Sequence, residues 1–328
     1  MTTQGPVARE IAYKYDVRAT VEYKRLHQHL YKNNMKTMKY FVAVLVVLCS
    51  LVVLVFASEG TSAFYIPSHI SEGAKDFLKT RKKVEPTELT YQELRDIYIS
   101  ALTLRLAAAK ERGITFSEQA VTIADVQSHW ISAPGVDPKN PRILLHMHGG
   151  AYFAGNAALM ADLPAKISAL TQLPVLTVEY NLAPEHPWPS GLNQVVAVYE
   201  ALLAQGYKAE NIGLSGESAG GGMALSAVQV MMRKSLPLPA LVYAISPWAD
   251  LALEGDSYGT LNGDDPFFLP TGSIGAAYMY AGFKDKKHPE ISPLYGEFKN
   301  HPPLFIQSGT KEILLSDSIR LAHVARKT

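Results

Sequence analysis

The 328-residue chain has a single cysteine, Cys49. One thiol excludes an intrachain disulfide and any Cys-based metal site. There is no Asn-x-Ser/Thr acceptor, so glycosylation signals give no clue to compartment. Neither sign of charge dominates, since 31 Lys and Arg stand against 30 Asp and Glu for a net charge of +1. The basic residues crowd the start: residues 1–39 carry eight Lys or Arg against Glu10, Asp16 and Glu22, which leaves the rest at about −4. That remainder offers no basic surface to a nucleic acid. Internal repeats and low-complexity tracts are also absent, which argues against a solenoid or an array. What is present, 48% hydrophobic residues, suffices for one large α/β domain with an appendage.

Only one long hydrophobic run occurs. Tyr40 to Ala57 is uncharged and Val/Leu-rich, and its eighteen residues reach the lower end of what crosses a bilayer as a helix. The basic excess precedes it, so the positive-inside rule predicts a cytosolic tail (1–39), a signal anchor (40–57) and a luminal or extracellular domain (58–328). If Met35 is the true start, residues 35–39 form a short n-region and Val55-Phe56-Ala57 resembles a cleavable signal end, which predicts secretion. His27 and His29 lie two apart in the tail with no further ligand nearby, and read as part of a solvated face.

Beyond residue 58 the pattern turns helical. Thr90 followed by Glu93 reads as a capping box, apolar residues then recur at helical spacing from Leu94 to Ala109, and Gly113 stops the helix. Residues 121–126 and 129–131 alternate as an antiparallel hairpin. Short apolar strands follow at 142–147, 175–180, 211–215, 241–246 and 304–307, with helices predicted over 159–172, 190–205, 220–233, 272–281 and 316–326. This alternation predicts an α/β fold: a mostly parallel central sheet with helices on both faces. Residues of about 60–113 and 250–290 are left to form a helical cap.

The stretch that carries chemistry is Gly216-Glu217-Ser218-Ala219-Gly220, with a strand before it and an apolar helix after it. This is the G-x-S-x-G pattern, a strained strand-to-helix turn that exposes a serine hydroxyl. Such a serine needs a base and N–H donors for the oxyanion. The donors can come from Ala219 and from Gly149 and Gly150, which follow the strand ending at His148. Tyr152, Trp188 and Phe267 are candidate pocket residues, with plain core packing as the competing explanation. No cofactor is implied.

These motifs together resemble the hormone-sensitive-lipase-like branch of the α/β hydrolases, which includes bacterial esterases and arylacetamide deacetylase. The resemblance rests on His148-Gly149-Gly150-Ala151-Tyr152, on residues 180–189, on the elbow, on Ser246-Pro247-Trp248-Ala249-Asp250, on Asp265-Pro266-Phe267 and on Ser292-Pro293-Leu294-Tyr295. It implies a carboxylic-ester hydrolase with a Ser-acid-His triad, acting on a small-molecule ester or lipid-like substrate. The family register puts the acid at Glu312, with Asp317 as the alternative and as a first-turn helix residue otherwise. It places His148 and His186 in structural roles; Glu217, beside the nucleophile at a position that points away from substrate, reads as a brace of the elbow. The family's histidine should follow the acid by roughly thirty residues. The one histidine after Glu312 is His323, inside a predicted helix. This predicts either a C-terminal truncation, with the last strand and helix missing, or a non-catalytic ligand-binding protein on the same fold, as in the plant gibberellin receptor.

Overall fold

The computed structural model describes Ile66, Ser68 and residues 70–80, 89–268 and 270–327. The basic tail and the apolar run at 40–57 lie outside the described residues. Helix α1 covers Glu72–Thr80 and α2 covers Tyr91–Glu111. The start of α2 is fixed by the capping box read from the sequence: Glu93 N–H donates to Thr90 Oγ1 at 3.3 Å, and Thr90 N–H donates to Glu93 Oε2 at 2.8 Å. Leu94, Leu102 and Ala109 form its buried face, and Gly113 follows its end at φ +86°.

Strands β1 (Ser117–Ile123) and β2 (Val126–Ser132) form a hairpin longer than the alternation suggested. Ala124 and Asp125 connect them, both at positive φ, which is the handedness a two-residue turn needs to match strand twist. The remaining strands are β3 (Ile143–Met147), β4 (Val175–Val178), β5 (Ile212–Glu217), β6 (Leu241–Ile245) and β7 (Leu304–Gln307). The sheet order is β1-β2-β4-β3-β5-β6-β7, antiparallel from β1 to β4 and parallel from β4 to β7. Among the described residues, β7 is an edge.

Helices α3 (Asp162–Thr171), α4 (Ser190–Ala204), α5 (Ala219–Arg233), α6 (Ser257–Thr260), α7 (Pro270–Ala281) and α8 (Leu315–Ala325) complete the chain. Every residue of β3 and β4 is buried, because helices cover both faces of a parallel sheet. Helix α5 is buried from Ala219 to Met231 and runs through the centre of the domain. Parallel strands share one C-terminal edge, so the segments after β3, β4, β5, β6 and β7 converge there. Bonds join that edge laterally: Ser218 N–H donates to Ile245 O at 2.9 Å, and Ser246 N–H donates to Gln307 O.

Leu145, fully buried in central strand β3, tests this core. Leu145→Ala should lower unfolding free energy by about 3 kcal/mol, read from the urea midpoint at unchanged slope.

Candidate active site

Ser218 stands between β5 and α5 at φ 55°, ψ −122°, a conformation few side-chain-bearing residues adopt. The strain is imposed by packing. A Cβ on Gly220 would sit 2.0 Å from Met147 O, and one on Gly216 would sit 2.3 Å from Gly220 O, so only glycine fits at either flank. Ser218 O accepts from Gly222 N–H at 3.1 Å and from Trp248 N–H at 2.9 Å, which locks the turn from both sides. The hydroxyl makes no cap bond to the helix it precedes and is half-buried. The amide of Ala219 faces this end of α5 with no acceptor among the described residues.

The glycine loop after β3 lies against the elbow: a Cβ on Gly149 would touch Ser218 Cβ at 3.4 Å. Its two glycines differ. Gly149 N–H, one of the two amides expected as oxyanion donors, donates to Glu217 Oε1 at 2.8 Å. Gly150 N–H has no acceptor among the described residues, and Gly150 adopts φ 120° with Ala154 O so close that a Cβ would lie 2.0 Å from it. Sequence pattern alone does not separate the two glycines; only the position of the Glu217 carboxylate does.

Glu217 turns inward. Its Oε2 lies 3.0 Å from His146 Nε2, and His146 Nδ1 meets Ser215 Oγ at 2.9 Å. Burial pushes the Glu217 carboxyl up, but His146, the Gly149 N–H and His148 outweigh it and hold it below the usual range. His148 is buried, stacked on Tyr180 with centroids 4.3 Å apart, and burial drives its imidazole toward the neutral form. All three residues brace the two loops.

Glu312 lies in the loop after β7, which is two strands from β5 in the sheet. Its carboxylate accepts from Gly309 N–H at 3.1 Å and from Ser308 Oγ at 3.3 Å. Asp317 lies in the first turn of α8, but it does not serve there as an exposed dipole partner. It is fully buried, and its Oδ2 accepts from Ala249 N–H and Asp250 N–H, both at 2.9 Å, and from Tyr258 OH at 3.1 Å. Burial and the neighbouring Asp250 push its carboxyl up to about 7.

Among the described residues, no histidine hydrogen-bonds to Ser218 or Glu312. His323 is exposed on α8. Of the candidate pocket residues, Tyr152 packs as core: it is 1% exposed and stacks on Tyr280 at 3.9 Å. Trp188 is half-buried against His288, and Phe267 is 42% exposed beside Phe268. No group of three or more metal-ligating side chains occurs among the described residues.

The family described as alpha/beta hydrolase fold matches residues 144–328. An acetyl-hydrolase of Streptomyces hygroscopicus is 36% identical over 208 residues, covering 63% of this chain and 68% of its own. An esterase of Acinetobacter venetianus is 35% identical over 192 residues, covering 57% of this chain and 62% of its own. The chain thus spans about two thirds of these relatives. Among solved structures, an esterase from the bacterial hormone-sensitive lipase family aligns at a TM-score of 0.68 and 31% identity, over 74% of this chain and 79% of that one. The structure of EstE5-PMSF aligns at 0.67 and 34%, over 75% and 80%.

Asp317 generates a pH prediction. A carboxyl raised to about 7 in the folded state, against the ordinary value near 4, binds more protons folded than unfolded between those limits. Its contribution is therefore fully present at low pH and declines as pH rises from about 4 to 7. Asp317→Asn keeps an acceptor for residues 249, 250 and 258 and should flatten that decline. The urea midpoint of both proteins across pH 4–8 measures the difference; parallel curves would refute it.

Proposed function

The chain belongs to the α/β-hydrolase family, in its hormone-sensitive-lipase-like branch, and on that premise we propose that it cleaves carboxylic esters of small or medium acyl groups through Ser218. The observation that carries this is the pairing of a strained, uncapped serine with free amides on either side of it. Ser218 Oγ adds to the ester carbonyl carbon as its proton passes to a base. The carbonyl oxygen becomes an oxyanion that the N–H groups of Gly150 and Ala219 stabilise. Removing one such donor costs about 3 kcal/mol of barrier. Collapse expels the alcohol, which takes the proton, and water then hydrolyses the acyl-serine by the same route in reverse. Gly149, tied to Glu217, positions this loop rather than donating to substrate.

Glu312 is the carboxylate that would orient an imidazole base, and Ser308 and Gly309 hold it in place. Because no histidine among the described residues bonds to it, the chain is expected to turn over slowly. A serine hydrolase lacking one triad member retains about 10³–10⁴-fold over water. That same observation favours a second function, binding of an ester-like ligand without turnover. Hydrolysis of p-nitrophenyl acetate separates the two. Slow turnover that rises with added imidazole and disappears in Ser218→Ala supports the esterase. Saturable ligand binding with Ser218-independent hydrolysis supports the binder.

We also propose that residues 40–57 tether the domain to a membrane as a single-pass anchor with a cytosolic tail, or direct its secretion if Met35 is the start. The support is the uncharged run and the basic excess before it. No helix of the described residues is long and apolar enough to cross a membrane. The full chain should stay in the membrane pellet after alkaline carbonate extraction, and Leu51→Arg with Val53→Arg should release it; wild-type protein in the wash would sink the anchor.

A further inference from the structure

Arg95 on α2 lies more than fifty residues from any part of the glycine loop in sequence, yet it makes more bonds to this edge than any other side chain of the helix. Its Nε donates to Phe153 O at 2.8 Å, and its Nη2 donates to Ala183 O at 2.9 Å. The two ends of the guanidinium also grip Glu185, Nη1 to Oε1 at 2.9 Å and Nη2 to Oε2 at 2.8 Å. The Arg95 side chain is 18% exposed, and its bonds to Phe153 O and Ala183 O are partly shielded from water, whereas Glu185, 42% exposed, meets it at the surface. Three acceptors on two segments are thus held by one rigid planar group.

The loop it grips is the one that presents Gly150. Phe153 N–H and Ala154 N–H both donate back to Gly150 O, at 3.1 and 2.9 Å, so residues 150–154 close into one tight turn. Gly150, Ala151 and Tyr152 all have positive φ, a run that costs free energy unless its surroundings impose it. Tyr152 O in turn accepts from Ala183 N–H at 2.9 Å, so the turn and the segment after β4 are already in contact where Arg95 bridges them. Without the guanidinium, Phe153 O and Ala183 O would each lose an acceptor's partner at a half-buried site.

We propose that Arg95 is a positioning residue for the oxyanion site: by bonding Phe153 O, Ala183 O and Glu185 together, it fixes the direction in which the Gly150 amide points. This rests on the esterase function for its chemistry but not for its geometry. A lysine cannot replace it, because an ammonium on a flexible stem does not span three acceptors in a fixed fork.

The test uses the full chain with Arg95→Lys and Arg95→Ala. Amide exchange in residues 149–157 should quicken at least about tenfold in both, while strand β6, three positions from β4 in the sheet, keeps its wild-type rate. Millimolar guanidinium should restore slow exchange in Arg95→Ala and not in Arg95→Lys. In the imidazole-supplemented p-nitrophenyl acetate assay, kcat should fall about 10²-fold with KM within about twofold, since a small misplacement of a transition-state donor leaves ground-state binding intact. Should Arg95→Ala fail to fold, Glu185→Gln loosens the same fork and should quicken exchange in 149–157 to a lesser degree. Wild-type exchange in 149–157 of Arg95→Lys, or exchange quickened equally in β6, would overturn the proposal. Absence of ester turnover in the parent chain would sink the esterase function alone, leaving the exchange and its guanidinium rescue to decide the role of Arg95.

Discussion

Three backbones meet around Met147 more closely than any side chain would allow. Met147 O approaches the place where a Cβ of Gly220 would be to 2.0 Å and that of Gly216 to 2.8 Å. This contact pins the end of β3 to the turn between β5 and α5. The turn then has no room for a relaxed conformation, and Ser218 is left at positive φ with its hydroxyl uncommitted. The N-terminus of α5 follows at once, so free amides and the positive end of a fifteen-residue helix lie at the same spot. Strain, exposure and electrostatics are consequences of one close approach.

That approach has a cost which the rest of the edge offsets. Glycine permits tight passage but brings no side chain to anchor itself, and it has the most conformational freedom to lose. The order of residues 149–157 is therefore imported. Glu217 holds Gly149 from the elbow, Arg95 holds Phe153 from α2, and Glu179, at the end of β4, accepts from Ala157 N–H at 2.6 Å. Two of these anchors are carboxylates at least half out of water, an environment that raises both until hydrogen bonds and nearby imidazoles oppose it. For Glu179 burial dominates and lifts it to about 7; for Glu217 the opposing groups prevail.

Local grammar was legible in the sequence wherever the cause is local. The capping box at Thr90 and Glu93, the alternation of strands and helices, and the small-residue elbow each depend on neighbours within a few positions, and each is found as read. The features that escaped depend on partners far along the chain. Nothing around Arg95 separates it from the charged residues of an ordinary solvent-facing helix, because its acceptors are two carbonyls and a carboxylate 58 to 90 residues away. Asp317 reads as an N-terminal helix charge, and only tertiary structure reveals that Ala249, Asp250 and Tyr258 enclose it. For Tyr152 the sequence leaves pocket and core open, and its ring stacks on Tyr280 in the core.

The same distinction bears on Glu312 and Asp317, five residues apart after β7. A triad acid must keep at least one carboxylate oxygen able to take an imidazole N–H. Glu312 is bonded by one backbone N–H and a long serine contact, on an incompletely buried loop. Asp317 has one oxygen committed three times over and the other sealed in the core without a partner. It reaches instead to the loop after β6, whose Trp248 N–H grips the carbonyl of Ser218. The two acids thus differ in accessibility: Glu312 sits on a half-buried loop held by Ser308 and Gly309, and Asp317 ties α8 to the turn that carries the serine.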